Sequence, residues 1–233
     1  MKPSYIFSVC VFFLGLMLLI FSVPRLFSSL DLSHINSFII EMQKDNSFAP
    51  TVVNDVEKKI NNSISWHSGV ENQYLKSIFL YQQLKIEAQK HSDIHTIINK
   101  TDHATKEALQ LNPIDPFSWY QLAFIFYAQG QPDDVIINVL KYSIYTGPVE
   151  KDLLYGRILF MSDYISVMDD ELTNLFKFQL LLLWQLKLHD SVTLIVKKPK
   201  LKSLFIDALS FSTEDQLQFN RRLKKAEKKN SEK

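Results

Sequence analysis

Cysteine is nearly absent from this 233-residue chain: Cys10 stands alone inside the first apolar run, so neither an intrachain disulfide nor a cysteine-ligated metal site can form. A lone thiol also leaves the compartment unassigned. Glycine (5) and proline (8) are scarce while hydrophobic residues reach 46% and phenylalanine 17, which excludes a turn-rich sandwich and a disordered chain and points to a helical body. Catalytic signatures are missing too: there is no GxSxG, no HExxH, no glycine-rich phosphate loop and no dinucleotide fingerprint. Nothing argues for an enzyme, and no cofactor or metal is expected.

What is present begins with charge segregation. The formal net charge is +1, but 11 Lys or Arg face 5 Asp or Glu from Lys197 onward, leaving 15 against 20 before it. Length allows one core-bearing domain and a targeting element. Tyr5 to Val23 carries no charge and is dense in Phe, Leu, Val and Ile; as a helix it would be about 28 Å long, enough to cross a hydrocarbon core. Pro24, Arg25, Leu26 and Phe27 follow it without a small-x-small cleavage site, which favours an anchor over a removed signal peptide. Lys2 and Arg25 oppose each other as orientation signals, and the short segment 1–4 is expected to stay in the cytoplasm. The body then faces outward, into the periplasm of a Gram-negative cell.

Beyond the span, residues 24–50 read as a juxtamembrane stalk or first packed helix, with His34, Ile35, Phe38, Ile39 and Met42 at helical spacing and Asp31 or Ser33 as cap. Pro50 breaks this, and Val52, Val53, Val56, Ile60 and Ile64 predict the next amphipathic helix. Helices over Tyr74 to Ala88 and Ile94 to Leu111 are expected to pair as a first, divergent repeat.

The stretch from Ala108 to Gly130, ALQLNPIDPFSWYQLAFIFYAQG, is the most informative. Ala108, Leu109 and Leu111 end one helix, and Asn112-Pro113 stops it, because proline lacks an amide donor and restricts its predecessor. Asp115 is placed to cap the next helix, and Pro116 suits its first position. Trp119, Leu122, Ala123 and Phe126 then recur at helical spacing as one buried stripe, and Gly130 closes the unit. A Trp, a Leu and a small residue, an aromatic and a Gly, preceded by Ala-Leu and Pro, resemble a tetratricopeptide repeat boundary over roughly one repeat and a half; the competing reading is an ordinary helical hairpin. Ala108, Leu109, Pro113, Trp119, Leu122, Ala123, Phe126, Gly130 and Pro148 are assigned to repeat packing. Tyr120, Phe124 and Tyr127 are left as the candidate partner surface.

Asp133 and Asp134 fit the first turn of a helix through Tyr142, where acids suit the positive helix end. Gly147 and Pro148 end it. Leu153, Leu154, Ile158, Leu159 and Tyr164 form the next apolar face, and Asp169 or Asp170 starts the helix holding Leu172, Leu175, Phe176, the Leu180–Leu183 run and Trp184. That run is too short for a second span and reads as a buried helix. After Pro199 a short helix through Leu209 precedes Ser212-Thr213-Glu214-Asp215, a cap for a last helix whose basic end is expected to be frayed. The 51–211 segment is read as one TPR-like helical domain and 212–233 as a basic helix and tail. Arg221, Arg222, Lys224, Lys225, Lys228 and Lys229 suit an anionic membrane surface, an acidic glycan or simple solubility. Nucleic acid is not expected as a partner of an outward-facing domain.

Six histidines are the remaining pool for chemistry. His91 and His95 stand four apart and would share a helical face, the basis of an alternative reading as a metal-dependent enzyme. No HExxH pattern defines their chemistry. The acid pairs are adjacent in sequence and so point in different directions, as helix-start residues do.

The order of features resembles a family of small membrane-anchored proteins from bacterial exopolysaccharide clusters, the VpsP-type polysaccharide biosynthesis accessory proteins. The match rests on an amino-terminal span, ALxLNPxDPxxWxxLA at Ala108 to Ala123, a helix, Gly147-Pro148-Val149-Glu150, and an aliphatic helix ending near Trp184. Val149 departs from it, since the family tends to carry an aromatic there. The resemblance implies an all-α, single-pass inner-membrane protein with a TPR-like solenoid, acting without catalysis beside polysaccharide-synthesis or other envelope proteins. A scaffold for cell division, secretion or cytochrome assembly is the alternative within the same class.

Overall fold

The computed structural model describes residues 3–44, 48–89 and 94–231. The chain is all-α, with no strand among the described residues. It divides into two compact units, Met1–Pro113 and Ile114–Lys233. The division falls inside the 51–211 segment that the sequence treats as one domain.

The first unit contains α1 (Pro3–Leu32), α2 (Ile35–Lys44), α3 (Pro50–Trp66), α4 (Val70–Gln89) and α5 (His95–Leu111). One helix near the amino terminus is long and apolar enough to cross a membrane; every side chain from Phe7 to Val23 is exposed, and mean hydropathy reaches 2.5 there. A proline normally ends or kinks a helix, yet α1 continues through Pro24 for two further turns. Tertiary contacts hold the part of α1 beyond the proline. Ser28 and Ser63 hydroxyls share a hydrogen bond of 2.8 Å, Ser63 Oγ donates to Ser28 O at 3.1 Å, and Asn72 Nδ2 donates to Ser28 Oγ at 2.7 Å. Phe27 stacks on Trp66 at 5.1 Å. The expected stalk is therefore the packed end of α1 followed by α2, which buries Ile35, Ile39 and Met42.

These residues join Val56 and Ile60 of α3 and Leu75, Phe79, Leu80 and Ile86 of α4 in one core. α4 starts at Val70, earlier than the apolar pattern indicates, and pairs closely with α5 as the sequence predicts. Thr101, Ala104, Thr105 and Ala108 give α5 a buried face of small side chains, which lets two helix backbones approach.

The second unit contains α6 (Pro116–Ala128), α7 (Asp133–Thr146), α8 (Lys151–Met161), α9 (Asp170–Leu186), α10 (Leu188–Lys197), α11 (Lys202–Ala208) and α12 (Thr213–Ser231). α6 pairs with α7, α8 with α9, α9 with α10 and α11, and α10 with α12. Leu180, Leu182, Leu183 and Trp184 are buried, so the aliphatic run is an interior helix. α10 is not expected from sequence: Val192, Thr193, Ile195 and Val196 make a β-branched run with weak helix preference. Burial of Val192, Leu194 and Ile195 against α9 and α12 overrides that preference.

The last helix also differs from expectation. Its basic end is solvated as expected but stays helical to Ser231 rather than fraying, and Phe219 and Leu223 are wholly buried; Phe219 stacks on Phe205 at 4.7 Å and meets Trp184 edge-on at 5.9 Å. Trp184 Nε1 donates to Asp215 at 2.8 Å, and Ser212 Oγ accepts from the Asp215 amide at 3.2 Å. The Trp184 bond to its carboxylate, then a side-chain hydrogen bond from the Ser212 hydroxyl, holds the Asp215 carboxyl below its ordinary pKa.

Candidate partner surface

Local sequence builds the α6–α7 hairpin as expected. Asp115 Oδ2 accepts from the Ser118 amide at 2.8 Å, satisfying one of the donors that a helix start leaves unpaired, and Pro116 occupies the first turn. At the other end Gly130 has φ +68. Gly130 N donates to Tyr127 O at 3.0 Å and Gln131 N to Phe126 O at 3.0 Å, the paired bonds of a Schellman ending. A Cβ at 130 would meet nothing within 4 Å, so the demand is conformational rather than steric. Gly130→Ala is expected to cost about 1 kcal/mol, measured as a shift in the urea midpoint with an unchanged slope.

Leu122 and Ala123 are buried and Phe126 packs against the core of the second unit. Trp119 is half-buried and stacks on Tyr142 at 4.9 Å, on the flank of the hairpin. Ala108 and Leu109 are buried in α5 of the first unit, Pro113 is the exposed last residue of that unit, and Pro148 lies exposed after α7.

The three candidate partner-surface residues sit differently. Tyr120 is half-buried against α8, where the missing side chain of Gly156 makes room: a Cβ there would stand 2.8 Å from the Tyr120 hydroxyl. Burial raises the Tyr120 pKa, and the charge of Arg157 works against that rise. Phe124 is half-buried and lies 6.3 Å from Tyr127, which is 57% exposed. Phe160 on α8 extends the row, edge-on to Tyr120 at 6.2 Å, to Tyr127 at 5.8 Å and to Tyr164 at 5.7 Å. The result is an aromatic ladder shared by α6, α8 and the turn after α8. Tyr164 is buried at the inner end of the row, and Phe160 is half-buried against the core.

On α8, within electrostatic reach of Tyr120, lies a residue that sequence reasoning missed. Arg157 is fully buried. Its Nη1 donates to Gly147 O at 2.7 Å, Nη2 to Ser143 Oγ at 2.9 Å and to Ser143 O, and Nε to Ser143 Oγ at 3.1 Å. These carbonyls close the end of α7, where the helix dipole is negative and a cation is welcome. Ser143 Oγ in turn donates to Pro116 O at 2.7 Å, and Gln179 Nε2 of α9 donates to Pro148 O at 2.8 Å. The Gly147-Pro148 turn is thus tied to α8 and α9, and Ser143 of α7 to α6. Burial pulls the Arg157 pKa down to about 10, with Glu150 and Tyr120 opposing the fall; the guanidinium stays charged at neutral pH. The available signal was its position three and four residues from Leu154, Leu153 and Met161, on the apolar stripe of α8.

A second polar tie joins α7 to α9. Lys141, nearly buried, donates to Asp169 at 2.7 Å and Glu171 at 2.6 Å. Burial pulls its pKa down, but the two carboxylate hydrogen bonds outweigh that and hold it above its ordinary value. Asp169 Oδ1 also accepts from the Leu172 amide at 2.7 Å as the cap of α9, and these bonds, Lys141 first, hold its carboxyl low. Asp133 and Asp134 occupy the first turn of α7.

The other candidate chemistry is scattered. His91 lies outside the described residues; His95 begins α5 with an exposed side chain, and His103 sits 3.3 Å from Glu107. The described residues bring together no group of three or more His, Cys, Asp and Glu able to hold a metal ion. Arg221, Arg222, Lys224, Lys225, Lys228 and Lys229 are all exposed along α12, opposite its buried Phe219 and Leu223. No protein-family model, no curated protein and no solved structure matches this chain.

Proposed function

We propose that the chain is a non-catalytic, membrane-anchored adaptor with TPR-like helical hairpins, held by α1 in a bacterial inner membrane with its body in the periplasm. There it holds partner proteins of surface or exopolysaccharide synthesis and export, as VpsP-type accessory proteins are expected to do. The observation that carries the binding role is the aromatic ladder of Tyr120, Phe124, Tyr127 and Phe160. Tyrosine and other aromatics are enriched at interface hot spots, where they bury large area at low entropy cost. Arg157, on the same helix as Phe160, and Gln179 fix the turn after α7 to α8 and α9. The hairpins α4–α5 and α6–α7 support the TPR-like part, one in each compact unit.

Tyr127→Glu tests the reading. Its side chain is exposed, so the thermal midpoint of the full chain should match the parent within about 0.5 kcal/mol of stability. Surface polymer released by the source bacterium should fall to the level seen when the gene is deleted. Normal polymer output in the deletion strain would overturn the polysaccharide role, and normal output in Tyr127→Glu alone would move the binding surface elsewhere.

A further inference from the structure

Where α1 leaves its apolar run, an open pocket of about 560 Å³ is lined by Arg25, Ser29, His67 and Glu71, with buried Ser28 and Asn72 behind them. That volume lies within the range of small-ligand sites. Arg25 and Ser28 follow Val23 by about 3 Å and about 8 Å of helix rise, which matches a head-group layer of roughly 5–8 Å on each side of a bilayer. Val70 on the pocket's rim is an exposed apolar side chain, and the same stretches of chain carry exposed Leu26, Phe27, Leu30 and Trp66, with Trp66 stacked on Phe27. Tryptophan with an apolar body and a polar edge settles at the membrane interface. The position of the pocket and the character of its rim therefore agree.

We infer that this pocket binds the head group of a phospholipid carrying a phosphate and a primary ammonium, in the leaflet on the body's side. The inference rests on α1 spanning a membrane. The Arg25 guanidinium and the His67 imidazole supply N–H donors for phosphate, and Glu71 supplies the carboxylate for the ammonium. A purely anionic head group would leave Glu71 opposed by like charge. The site is pre-organised, because Asn72 ties Ser28 of α1 to the Ser63 and His67 carbonyls, so α1, α3 and α4 cannot separate without breaking buried hydrogen bonds.

The test uses the full chain extracted from membranes in mild detergent, with bound lipid counted by native mass spectrometry. Alkaline washing of the membranes first establishes the span on its own: release of the protein overturns the anchor, whereas retention leaves the lipid question to the next step. The parent should retain one dioleoylphosphatidylethanolamine in preference to dioleoylphosphatidylglycerol. Arg25→Gln, at an exposed position, should weaken both lipids roughly tenfold with an unchanged melting curve. Glu71→Gln should weaken the ethanolamine lipid and leave or improve the glycerol lipid. Equal binding of free phosphoethanolamine would make the ligand a soluble phosphate rather than a lipid and so overturn the proposal, as would a preference for the glycerol lipid or retention unaffected by Arg25→Gln.

Discussion

Arg157→Ala is expected to cost the second unit about 3–5 kcal/mol, a large part of the stability of a domain this size. The change removes a fully buried side chain and leaves the carbonyls of Ser143 and Gly147 without their donors. Each orphaned buried acceptor carries its own desolvation cost, and the vacated volume adds a cavity term. Urea unfolding of the full chain in detergent, followed by tryptophan fluorescence, reads the loss; Trp119 and Trp184 report on this unit. Arg157→Lys keeps the charge but not the planar fork that reaches both carbonyls, so it should lose about 1–3 kcal/mol. A near-parental midpoint for Arg157→Ala would mean that the turn after α7 is held without it.

Phe219→Ala is expected to cost a similar amount, about 3–5 kcal/mol, and to lower the thermal midpoint by roughly 10–20 °C. Phe219 is wholly enclosed and meets Phe205 face to face and Trp184 on edge. Its loss opens a cavity between α9, α11 and α12. Neutralising the neighbours by Arg221→Gln and Arg222→Gln should move stability by less than about 0.5 kcal/mol, since both side chains are exposed. The contrast within one helix separates a core element with a charged outer face from a disordered basic tail. If both changes were equally mild, α12 would be dispensable to the unit.

The parts of the fold that sequence revealed are those with local chemical signals. Asp115, Pro116 and Gly130 mark the ends of α6 because capping and left-handed turns are decided within a few residues. The membrane-length helix shows itself through the missing charge alone. Other features depend on contacts far along the chain. Beyond Pro24, α1 is held where Ser63 and Asn72 bind Ser28, and neither partner can be located from the sequence around the proline. α10 defies its β-branched composition through burial. Arg157 reads as a surface cation until the carbonyls of α7 are seen beside it, although its place on the apolar stripe of α8 was legible. For the candidate surface, Tyr127 could be named from helix periodicity, but its neighbour Phe160 lies on another helix and needed the tertiary fold. The Asn112-Pro113 turn fits both a boundary between repeats and a boundary between compact units, and composition cannot tell them apart.

The central claim is that the aromatic ladder on α6 and α8 meets a protein partner while α1 holds the chain in the membrane. Photo-crosslinking tests it most directly, with a crosslinking amino acid at position 127 in the native membrane and position 217, exposed on α12, as the control. The account predicts one discrete crosslinked product from position 127, containing an envelope protein of surface-polymer synthesis or export, and absent from position 217. No product from position 127 at native expression, or the same product from both positions, would contradict it.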